Sequence, residues 1–335
     1  MVKALALSKP RGTFSPFEFE LGQLGNDEVD IAVESCGVCH SDLSMANNEW
    51  GMTQYPFVPG HEVIGKVVAV GSTVRHLKQG DRVGFGWYSG SCSDCTQCLS
   101  GNHNLCKTAA ATIVGRHGGF ASHVRGQALW ATPLPNNIDA RSAGPLFCGG
   151  ITVFNPLVQF DVRPYQRVGV IGIGGLGHLA LQFLRAWGCH VTAFTSSASK
   201  ADEAKQLGAH AVVDIKSPDA IAKVVGSMNF ILSTANADLD WQNILTCLEP
   251  TGRLHFVGAV PGPLNVHVFP MIVSQASVSG SPLGSPATVR KMIEFCARHD
   301  IKPVAEYFPM SKADAAFAHL EAGKARYRII LENDL

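Results

Sequence analysis

Four closely spaced cysteines form the densest group of metal-binding side chains in the sequence. Cys92, Cys95, Cys98 and Cys106 follow the spacing C-x2-C-x2-C-x7-C in a turn-rich segment. Four thiolates in one short loop suit tetrahedral zinc. A ferredoxin-type iron–sulfur run ends with a gap of three residues and a proline, which this segment lacks. The spacing predicts a closed, structural zinc site, and an iron–sulfur cluster, disulfides or free thiols are the alternatives.

A second set of candidate metal ligands is spread widely along the chain. It comprises Cys39, His61, Glu62 and Cys148. Two cysteines and one histidine are the protein ligands of catalytic zinc sites that keep a fourth position open. Taken singly, each residue is better interpreted as a buried cysteine, a turn histidine or an exposed glutamate, because free cysteines are commonly buried. Spacing alone does not join them into a site.

A glycine-rich segment has the spacing of a dinucleotide-binding loop. The run Gly172, Ile173, Gly174, Gly175, Leu176, Gly177 fits G-x-G-x-x-G. It follows a strand-like run at 167–173 and opens a helix-like run at 176–187, which is the context that the motif requires. There the glycines let backbone amides approach a pyrophosphate, which the helix N-terminus stabilises. We therefore predict a dinucleotide site at this loop.

The residues after the next strand indicate which dinucleotide is bound. An acidic residue that holds the adenosine ribose is expected about 20 residues after the glycine loop. This chain instead has Thr195, Ser196 and Ser197, with Lys200 close behind. Hydroxyl groups and a lysine can bind a 2′-phosphate, which a carboxylate would repel. We predict NADP(H) over NAD(H), and the alternative is a polar loop with a solvated lysine.

Length and composition limit the number of domains and the class of protein that can position these groups. The 335 residues suffice for about two domains. Hydrophobic residues make up 46% and charged residues 16%, which excludes a disordered chain. The 27 basic and 27 acidic residues cancel, so no net charge attracts nucleic acid or an anionic membrane. A small-molecule substrate is the expected partner.

The N-terminus and the cysteine content predict a cytoplasmic enzyme. The first residues lack the sustained apolar run and cleavage site of a signal peptide. In a reducing compartment the ten cysteines are expected to ligate metal or take part in catalysis rather than form disulfides. The charge-free stretches 168–184 and 254–289 are too rich in glycine or proline for a membrane span.

The pattern of elements changes near residue 164. Short β-rich segments such as 29–34 and 63–70 occupy the first 150 residues. From 167 to 258 strand-like and helix-like pieces alternate, which predicts βαβ units and a parallel sheet. In the C-terminal segment the sequence predicts amphipathic helices at 287–299 and 312–322 and a final strand at 328–332.

These motifs in this order resemble the zinc-dependent medium-chain alcohol dehydrogenases. The run 60–65, Gly-His-Glu-Val-Ile-Gly, followed by Gly71 and Val74, is similar to the zinc signature of that family, and Gly-Asp-Arg-Val follows at 80–83. Within the family, the runs 39–43 and 148–153 and the serine-rich loop resemble the cinnamyl alcohol dehydrogenase branch, which includes bacterial NADPH-dependent aldehyde reductases.

The resemblance implies an α/β protein made of a GroES-like β domain and a Rossmann domain with a doubly wound parallel sheet. The GroES-like catalytic domain would comprise residues 1–152 and 287–335, and the NADP-binding Rossmann domain residues 153–286. The substrate would lie in the cleft between them. Relatives of this branch are commonly dimers, which implies pairing here through roughly residues 266–280.

The resemblance also assigns roles to particular side chains. Cys39, His61 and Cys148 would hold the catalytic zinc, with Glu62 as a transient ligand or supporting group and Asp42 orienting His61. The remaining assignments are a proton relay at Ser41, a nicotinamide contact at Thr152, pyrophosphate contacts at His40 and at Arg326 or Arg328, and further cofactor contacts at Val257 and Ser281. Many relatives carry a histidine, the outer member of the relay, where this chain has Ser44.

The function implied is hydride transfer between NADP(H) and an aldehyde or primary alcohol, with two zinc ions per chain. A broad-specificity aldehyde reductase is the main prediction. The alternatives are a dedicated hydroxycinnamyl alcohol dehydrogenase and a non-catalytic zinc- and nucleotide-binding regulator. Relatives place channel-wall residues where this chain has Trp50 and Trp87, which predicts a narrow apolar slot. The alternative is that both tryptophans are ordinary core residues.

Overall fold

A computed structural model describes residues 1–335, apart from the side chain of Ala198. The chain divides into two compact units, one formed by Met1–Ile151 with Gly284–Leu335 and the other by Thr152–Leu283. The sequence places these boundaries at 152/153 and 286/287. In the described part of the chain, no helix is long and apolar enough to cross a bilayer.

The first unit is dominated by short strands, because its sequence alternates apolar and polar residues between glycine and proline turns. Its N-terminal segment contains the strands β1 (Val2–Ala6), β2 (Ser15–Phe19), β3 (Glu28–Val38), β4 (Val63–Val70), β5 (Arg82–Phe85), β6 (Tyr88–Gly90), β7 (Ala110–Ala111), β8 (His123–Gln127) and β9 (Thr132–Pro133). Two short helices lie among them, α1 (His40–Ala46) and α2 (Thr96–Leu99).

The second unit has the alternating pattern that the sequence predicts. Its elements, the first of which begins in the first unit, are α3 (Gly149–Gln159), β10 (Arg167–Ile171), α4 (Gly177–Trp187), β11 (His190–Thr195), α5 (Ala201–Gln206), β12 (Ala211–Asp214), α6 (Pro218–Ala222), β13 (Met228–Ser233), α7 (Trp241–Leu245), β14 (Leu248–Phe256), α8 (Val268–Ser274) and β15 (Ser277–Gly280). The strands pair in the order β12-β11-β10-β13-β14-β15, all parallel. This is the doubly wound order of dinucleotide-binding domains, with the switch point between β10 and β13.

The C-terminal return completes the first unit with α9 (Pro286–His299), β16 (Ala305–Pro309), α10 (Ala313–Glu321) and β17 (Arg328–Glu332). Strand β17 pairs antiparallel with β3 and parallel with β16, in the sheet β16-β17-β3-β4-β5-β9, where β8 also pairs with β3. The tail therefore belongs to the same core as the N-terminal strands. The predicted α/β fold class is confirmed. The sequence patterns did not predict four elements that are short or lack clear periodicity, namely α3, α8, β15 and β16.

Candidate active site

A fully buried cluster of metal-binding side chains lies in the first unit. The ligand atoms of Cys39, His61, Glu62 and Cys148 all lie within 4.8 Å of one another. Cys39 Sγ is 3.9 Å from Cys148 Sγ, and His61 Nε2 is 3.3 Å from the same sulfur. The structure thus brings together residues that sequence spacing alone does not connect.

Local structure explains how these side chains meet. Cys39 follows the end of β3 and is the N-cap of α1. His61 and Glu62 immediately precede β4, which pairs with β3 so that Cys36 lies opposite Val63. The antiparallel register therefore places the end of β3 beside the start of β4.

Asp42 orients the histidine of this cluster. His61 Nδ1 is 3.0 Å from Asp42 Oδ1, and both groups are fully buried. The Asp42 carboxylate also accepts hydrogen bonds from the backbone N–H groups of Gly60 at 2.8 Å and Cys39 at 3.0 Å. Because a carboxylate only accepts hydrogen bonds, Nδ1 carries a proton, and in the neutral imidazole Nε2 keeps the lone pair that can bind a metal ion.

The two buried thiols of the cluster affect each other, so that the pKa of Cys39 falls and that of Cys148 rises. The hydrogen bond from Cys148 is the main cause that holds the pKa of Cys39 well below its usual value, although burial opposes it. The pKa of Cys148 is raised, first by the same contact and then by burial. Burial would lower the pKa of His61, but the charge and hydrogen bond of Asp42 raise it well above its usual value.

Glu62 pairs with Arg328 in the same interior. Arg328 Nη2 donates a hydrogen bond to Glu62 Oε1, and both side chains are buried. Burial raises the pKa of Glu62 even though the Arg328 charge opposes this. Among the described residues, Glu62 Oε2 and Arg328 Nε have no hydrogen-bond partner.

The position of Arg328 bears on its predicted contact with the pyrophosphate. Its guanidinium is only 4% exposed and is already engaged by Glu62, so its observed role is to anchor that carboxylate. The alternative residue, Arg326, is exposed, and its backbone N–H donates to Glu306 Oε1 at 2.7 Å. The pyrophosphate contact remains a prediction for either arginine.

The cluster fits zinc on its donor chemistry. Two sulfurs and one imidazole nitrogen converge, and such a set leaves a fourth position for a water or substrate oxygen. The unpartnered Glu62 Oε2 is the kind of buried acceptor that a nearby cation would satisfy. The residues present therefore suit a catalytic zinc ion.

A second group of donors lies in the excursion between β6 and β7. The sulfur atoms of Cys92, Cys95, Cys98 and Cys106 are within 4.8 Å of one another. Backbone hydrogen bonding, first at Cys92, lowers the pKa of Cys106 to about 6. All ten cysteines of the chain are free of disulfides. Four converging thiols suit a closed tetrahedral zinc site, with every position taken by protein.

Helix α1 presents a polar face beside the buried cluster. His40 is exposed and Ser41 is half-buried, whereas Asp42 on the opposite side is buried. One turn later Ser44 is also half-buried, and its Oγ donates a hydrogen bond to Glu49 Oε2 at 2.7 Å. Glu49 is not among the residues that the sequence analysis names, and the available signal was a carboxylate five residues after Ser44.

The two tryptophans named from the sequence lie together near the cluster. The rings of Trp50 and Trp87 are edge to face, with centroids 6.1 Å apart. Trp87 is also edge to face with the His61 ring at 5.0 Å. Trp50 is 45% exposed, so it is not an ordinary core residue.

In the second unit, the glycine loop has the geometry of a phosphate cradle. It follows β10 at the switch point of the sheet. Gly172 has φ +85°, and a Cβ on Gly177 would lie 1.9 Å from the Gly172 carbonyl oxygen, so neither position accommodates another residue. A Cβ on Gly174 would meet no atom within 4 Å. The loop thus combines a tight turn, close packing of α4 and open space above the backbone, which suits a dinucleotide.

The serine-rich loop begins where β11 ends, next to the glycine loop. Thr195 Oγ1 accepts a hydrogen bond from the Ser197 backbone N–H at 3.2 Å. Lys200 Nζ donates to the Ile173 carbonyl oxygen at 3.2 Å, which brings the lysine to the glycine loop, and Ser196 is exposed. The described residues therefore gather hydroxyl groups and one cation beside the loop.

The other three residues predicted to contact the cofactor lie in different kinds of local structure. Val257 follows β14, and its backbone N–H donates to the Ser233 carbonyl oxygen at 3.0 Å. Ser281 Oγ lies 2.9 Å from Nε2 of the buried His255, so its hydroxyl already has a protein partner. Thr152 lies in α3, at the first position of the second unit.

Known proteins share this sequence and fold. Two family models match, the alcohol dehydrogenase GroES-like domain over residues 25–136 and the zinc-binding dehydrogenase over residues 175–298. The aldehyde reductase AdhA of Synechocystis is 56% identical over 333 residues, which is 99% of each chain. These matches cover both units of the structure.

Solved structures agree with that relationship. A cinnamyl alcohol dehydrogenase of Sorghum bicolor superposes with a TM-score of 0.93 at 33% identity, covering 99% of this chain and 98% of that one. The cinnamyl alcohol dehydrogenase of Helicobacter pylori, in complex with NADP(H), superposes with a TM-score of 0.89 at 29% identity, covering 99% and 97%. Sequence identity over almost the full length and two consecutive family matches establish that this chain belongs to the zinc-dependent medium-chain alcohol dehydrogenases.

Proposed function

We propose that this enzyme is a broad-specificity aldehyde reductase that transfers hydride between NADP(H) and an aldehyde or primary alcohol. The observation that carries the proposal is the buried convergence of Cys39, His61 and Cys148, with Glu62 held beside them by Arg328. The 56% identity to an aldehyde reductase over nearly the whole chain supports the reductive direction.

Within this site the protein binds and orients. Cys39, His61 and Cys148 would hold zinc, which when bound supplies a Lewis acid that polarises the carbonyl oxygen. Asp42 fixes the tautomer of His61, and Arg328 neutralises the buried carboxylate of Glu62. NADPH, when bound, supplies the hydride, and the glycine loop and Thr152 would position its two ends.

Ser41 is the proposed proton donor to the product oxygen, because it lies half-buried on the open face of α1, two residues after Cys39. We expect Ser41→Ala to retain zinc and NADPH binding but to lose roughly 10²-fold in turnover, the usual scale for a positioned proton-transfer group. Metal content, the Kd for NADPH and kcat would be measured on one preparation. Full turnover in this variant would show that solvent supplies the proton directly.

Cofactor preference is proposed to follow from Thr195 and Lys200. We expect Thr195→Asp to shift the preference from NADPH towards NADH, because a carboxylate accepts a ribose 2′-hydroxyl and repels a phosphate. Lys200→Ala should raise the KM for NADPH more than that for NADH. Lys223→Ala, which removes an exposed lysine at the C-terminal end of α6, is the control and should leave both constants unchanged. Equal efficiency with both cofactors in the unmodified enzyme would contradict the assignment.

The substrate class is proposed from the two tryptophans. Trp50 and Trp87 lie edge to face, and Trp87 also contacts the His61 ring, so indole surface borders the metal donors. Apolar walls accept flat or unbranched aldehydes and offer charged groups no partner. We therefore propose activity on aromatic and aliphatic primary aldehydes, with little on bulky ketones or sugars.

One experiment tests the proposed function as a whole. Zinc per chain and NADPH consumption would be measured on the same preparation, with a panel of aromatic aldehydes, aliphatic aldehydes, ketones and sugars in both directions. The proposal expects two zinc ions and activity on both classes of aldehyde. Activity confined to hydroxycinnamyl aldehydes would indicate a dedicated dehydrogenase, and two zinc ions without any turnover would indicate a non-catalytic protein.

A homodimer is proposed from an apolar surface of the second unit. Helix α8 exposes Val268, Phe269, Ile272 and Val273, each at least 62% accessible. Strand β15 beside it is the edge of the parallel sheet, with unpaired backbone groups along that edge. Pairing of two copies through β15 and α8 would cover both features. Sedimentation equilibrium should give twice the mass of the chain, and Phe269→Glu should shift it to the monomer.

A cytoplasmic location is also proposed. The ten cysteines form no disulfide in the described structure, which suits a reducing compartment. Cell fractionation would test the assignment, and recovery of the enzyme from an oxidising compartment would overturn it.

A further inference from the structure

The open face of α1 leads from the buried cluster to solvent. His40, Ser41 and Ser44 lie on this face and are exposed or half-buried, whereas Asp42 and Met45 point into the core. Residues three apart on a helix are neighbours, with roughly 5–6 Å between their Cβ atoms. Ser41 and Ser44 therefore lie on one face of α1, close enough for a water molecule to connect their hydroxyl groups.

The outer serine of this face is bonded to a carboxylate. Ser44 Oγ donates to Glu49 Oε2 at 2.7 Å, and the Asn47 side-chain amide donates to Glu49 Oε1 at 3.2 Å. The Glu49 backbone N–H also bonds to the Ser44 carbonyl oxygen at 2.9 Å. Both oxygens and the backbone of Glu49 are therefore positioned by α1 and by the residue that ends it.

Glu49 is exposed to solvent and lies at the rim of the site. The next residue, Trp50, contacts Trp87, which contacts the His61 ring. The hydrogen bonds from Ser44 and Asn47 lower the pKa of Glu49, and the nearby Arg11 and His40 side chains act in the same direction. Glu49 is therefore an ionised carboxylate at neutral pH, exposed to solvent and bonded to Ser44.

We propose that Ser44 and the Glu49 carboxylate bonded to it form the outer end of the proton path. During reduction, Ser41 gives its proton to the product oxygen and receives one through the bridging water from Ser44. Ser44 is reprotonated by a solvent proton that the ionised Glu49 carboxylate accepts and passes on. One proton moves from solvent to product, and every residue returns to its starting state. During alcohol oxidation each transfer runs in reverse.

This inference rests on the proposed function, because it assigns the path for the proton that the reduction consumes. Ser44 and Glu49 act through Ser41 and touch no reacting atom, so they are positioning and proton-transferring residues. Their loss should cost less than the loss of Ser41, because water or buffer can replace an outer donor. We expect Glu49→Gln to lower kcat roughly tenfold in dilute buffer, against roughly 10²-fold for Ser41→Ala.

The first test compares variants of the zinc-loaded enzyme at neutral pH in dilute buffer. Ser44→Ala and Glu49→Gln should lose turnover equally, and the double variant should lose no more than either, because both residues serve one path. Added imidazole or acetate buffer should restore turnover in Glu49→Gln but not in Ser41→Ala. Glu18→Gln removes an exposed carboxylate on β2 and is the control, with unchanged turnover expected.

A second readout does not depend on activity. In carbon-13-labelled protein with zinc but without nucleotide, Ser44→Ala should raise the pKa of Glu49 measured by NMR, because the hydrogen bond from Ser44 is the first cause of its lowering. An unchanged pKa, or a loss of turnover in Glu49→Gln that buffer does not restore, would overturn the proton path. Absence of NADPH-dependent reduction by the unmodified enzyme would instead overturn the proposed function on which it rests.

Discussion

Cys39→Ser should abolish turnover while the enzyme stays folded. Serine is a preferred N-cap residue, so α1 should still begin at the same place. A neutral hydroxyl is a much poorer zinc ligand than a thiolate, so polarisation worth several kcal/mol is lost. At 1.36 kcal/mol per tenfold change, we expect turnover to fall by at least roughly 10³-fold.

Metal content and the unfolding transition separate this effect from misfolding. The variant should retain one zinc ion per chain, held by the Cys92–Cys106 loop, and its Tm should lie close to that of the unmodified enzyme. Cys36→Ala removes a buried thiol three residues upstream, outside the ligand set, and should keep both zinc ions and full turnover. Full activity or two retained zinc ions in Cys39→Ser would rule out the assigned ligand set.

Cys95→Ser should chiefly lower stability. A closed zinc site contributes folding energy directly, and the cysteine loop has little apolar core of its own to replace it. The thiols of this loop are brought together from a 15-residue segment whose α-helix, α2, has a single turn, and Cys92 is exposed. Loss of one ligand should cost several kcal/mol, which corresponds to a fall in Tm on the order of 10 °C.

Calorimetry with parallel zinc analysis measures this effect. We expect a lower Tm and one zinc ion per chain in Cys95→Ser, and chelator treatment of the unmodified enzyme should lower its Tm in the same direction. Thr96→Ala changes the adjacent exposed residue of α2 without removing a ligand and should leave Tm nearly unchanged. An unaltered Tm with one zinc ion lost would show that the loop folds without metal.

The sequence predicts best those sites whose functional residues lie within one short segment. The cysteine loop and the glycine loop each lie within a short segment, so spacing alone indicates metal and dinucleotide binding. The alternating pattern of the second unit predicts the parallel sheet, because helices and strands bury their apolar faces with different periods. The parallel sheet and the two cofactor types followed from these local signals, whereas the GroES-like β domain followed from the family resemblance, and the comparisons confirm both.

The catalytic cluster needed long-range information. No shared spacing links Cys39, His61 and Cys148, so only the family resemblance predicts that they form one site. In the structure the β3–β4 pairing and the turn before α3 bring them together. No local pattern encodes such a contact, because it depends on strand register across the sheet.

The contacts of single side chains were decided by the tertiary structure. Glu62 and Arg328 are far apart in sequence, and they meet because the C-terminal strand β17 returns to pair with β3. Ser44 and Glu49 are only five residues apart, yet their bond depends on the turn at Asn48, whose φ is 56° and which redirects the chain after α1. Spacing and composition therefore determined the cofactor chemistry and the parallel sheet, because those depend on local pattern. Burial and chain reversal determined the charge environment of the site, because they bring distant groups into one low-dielectric interior.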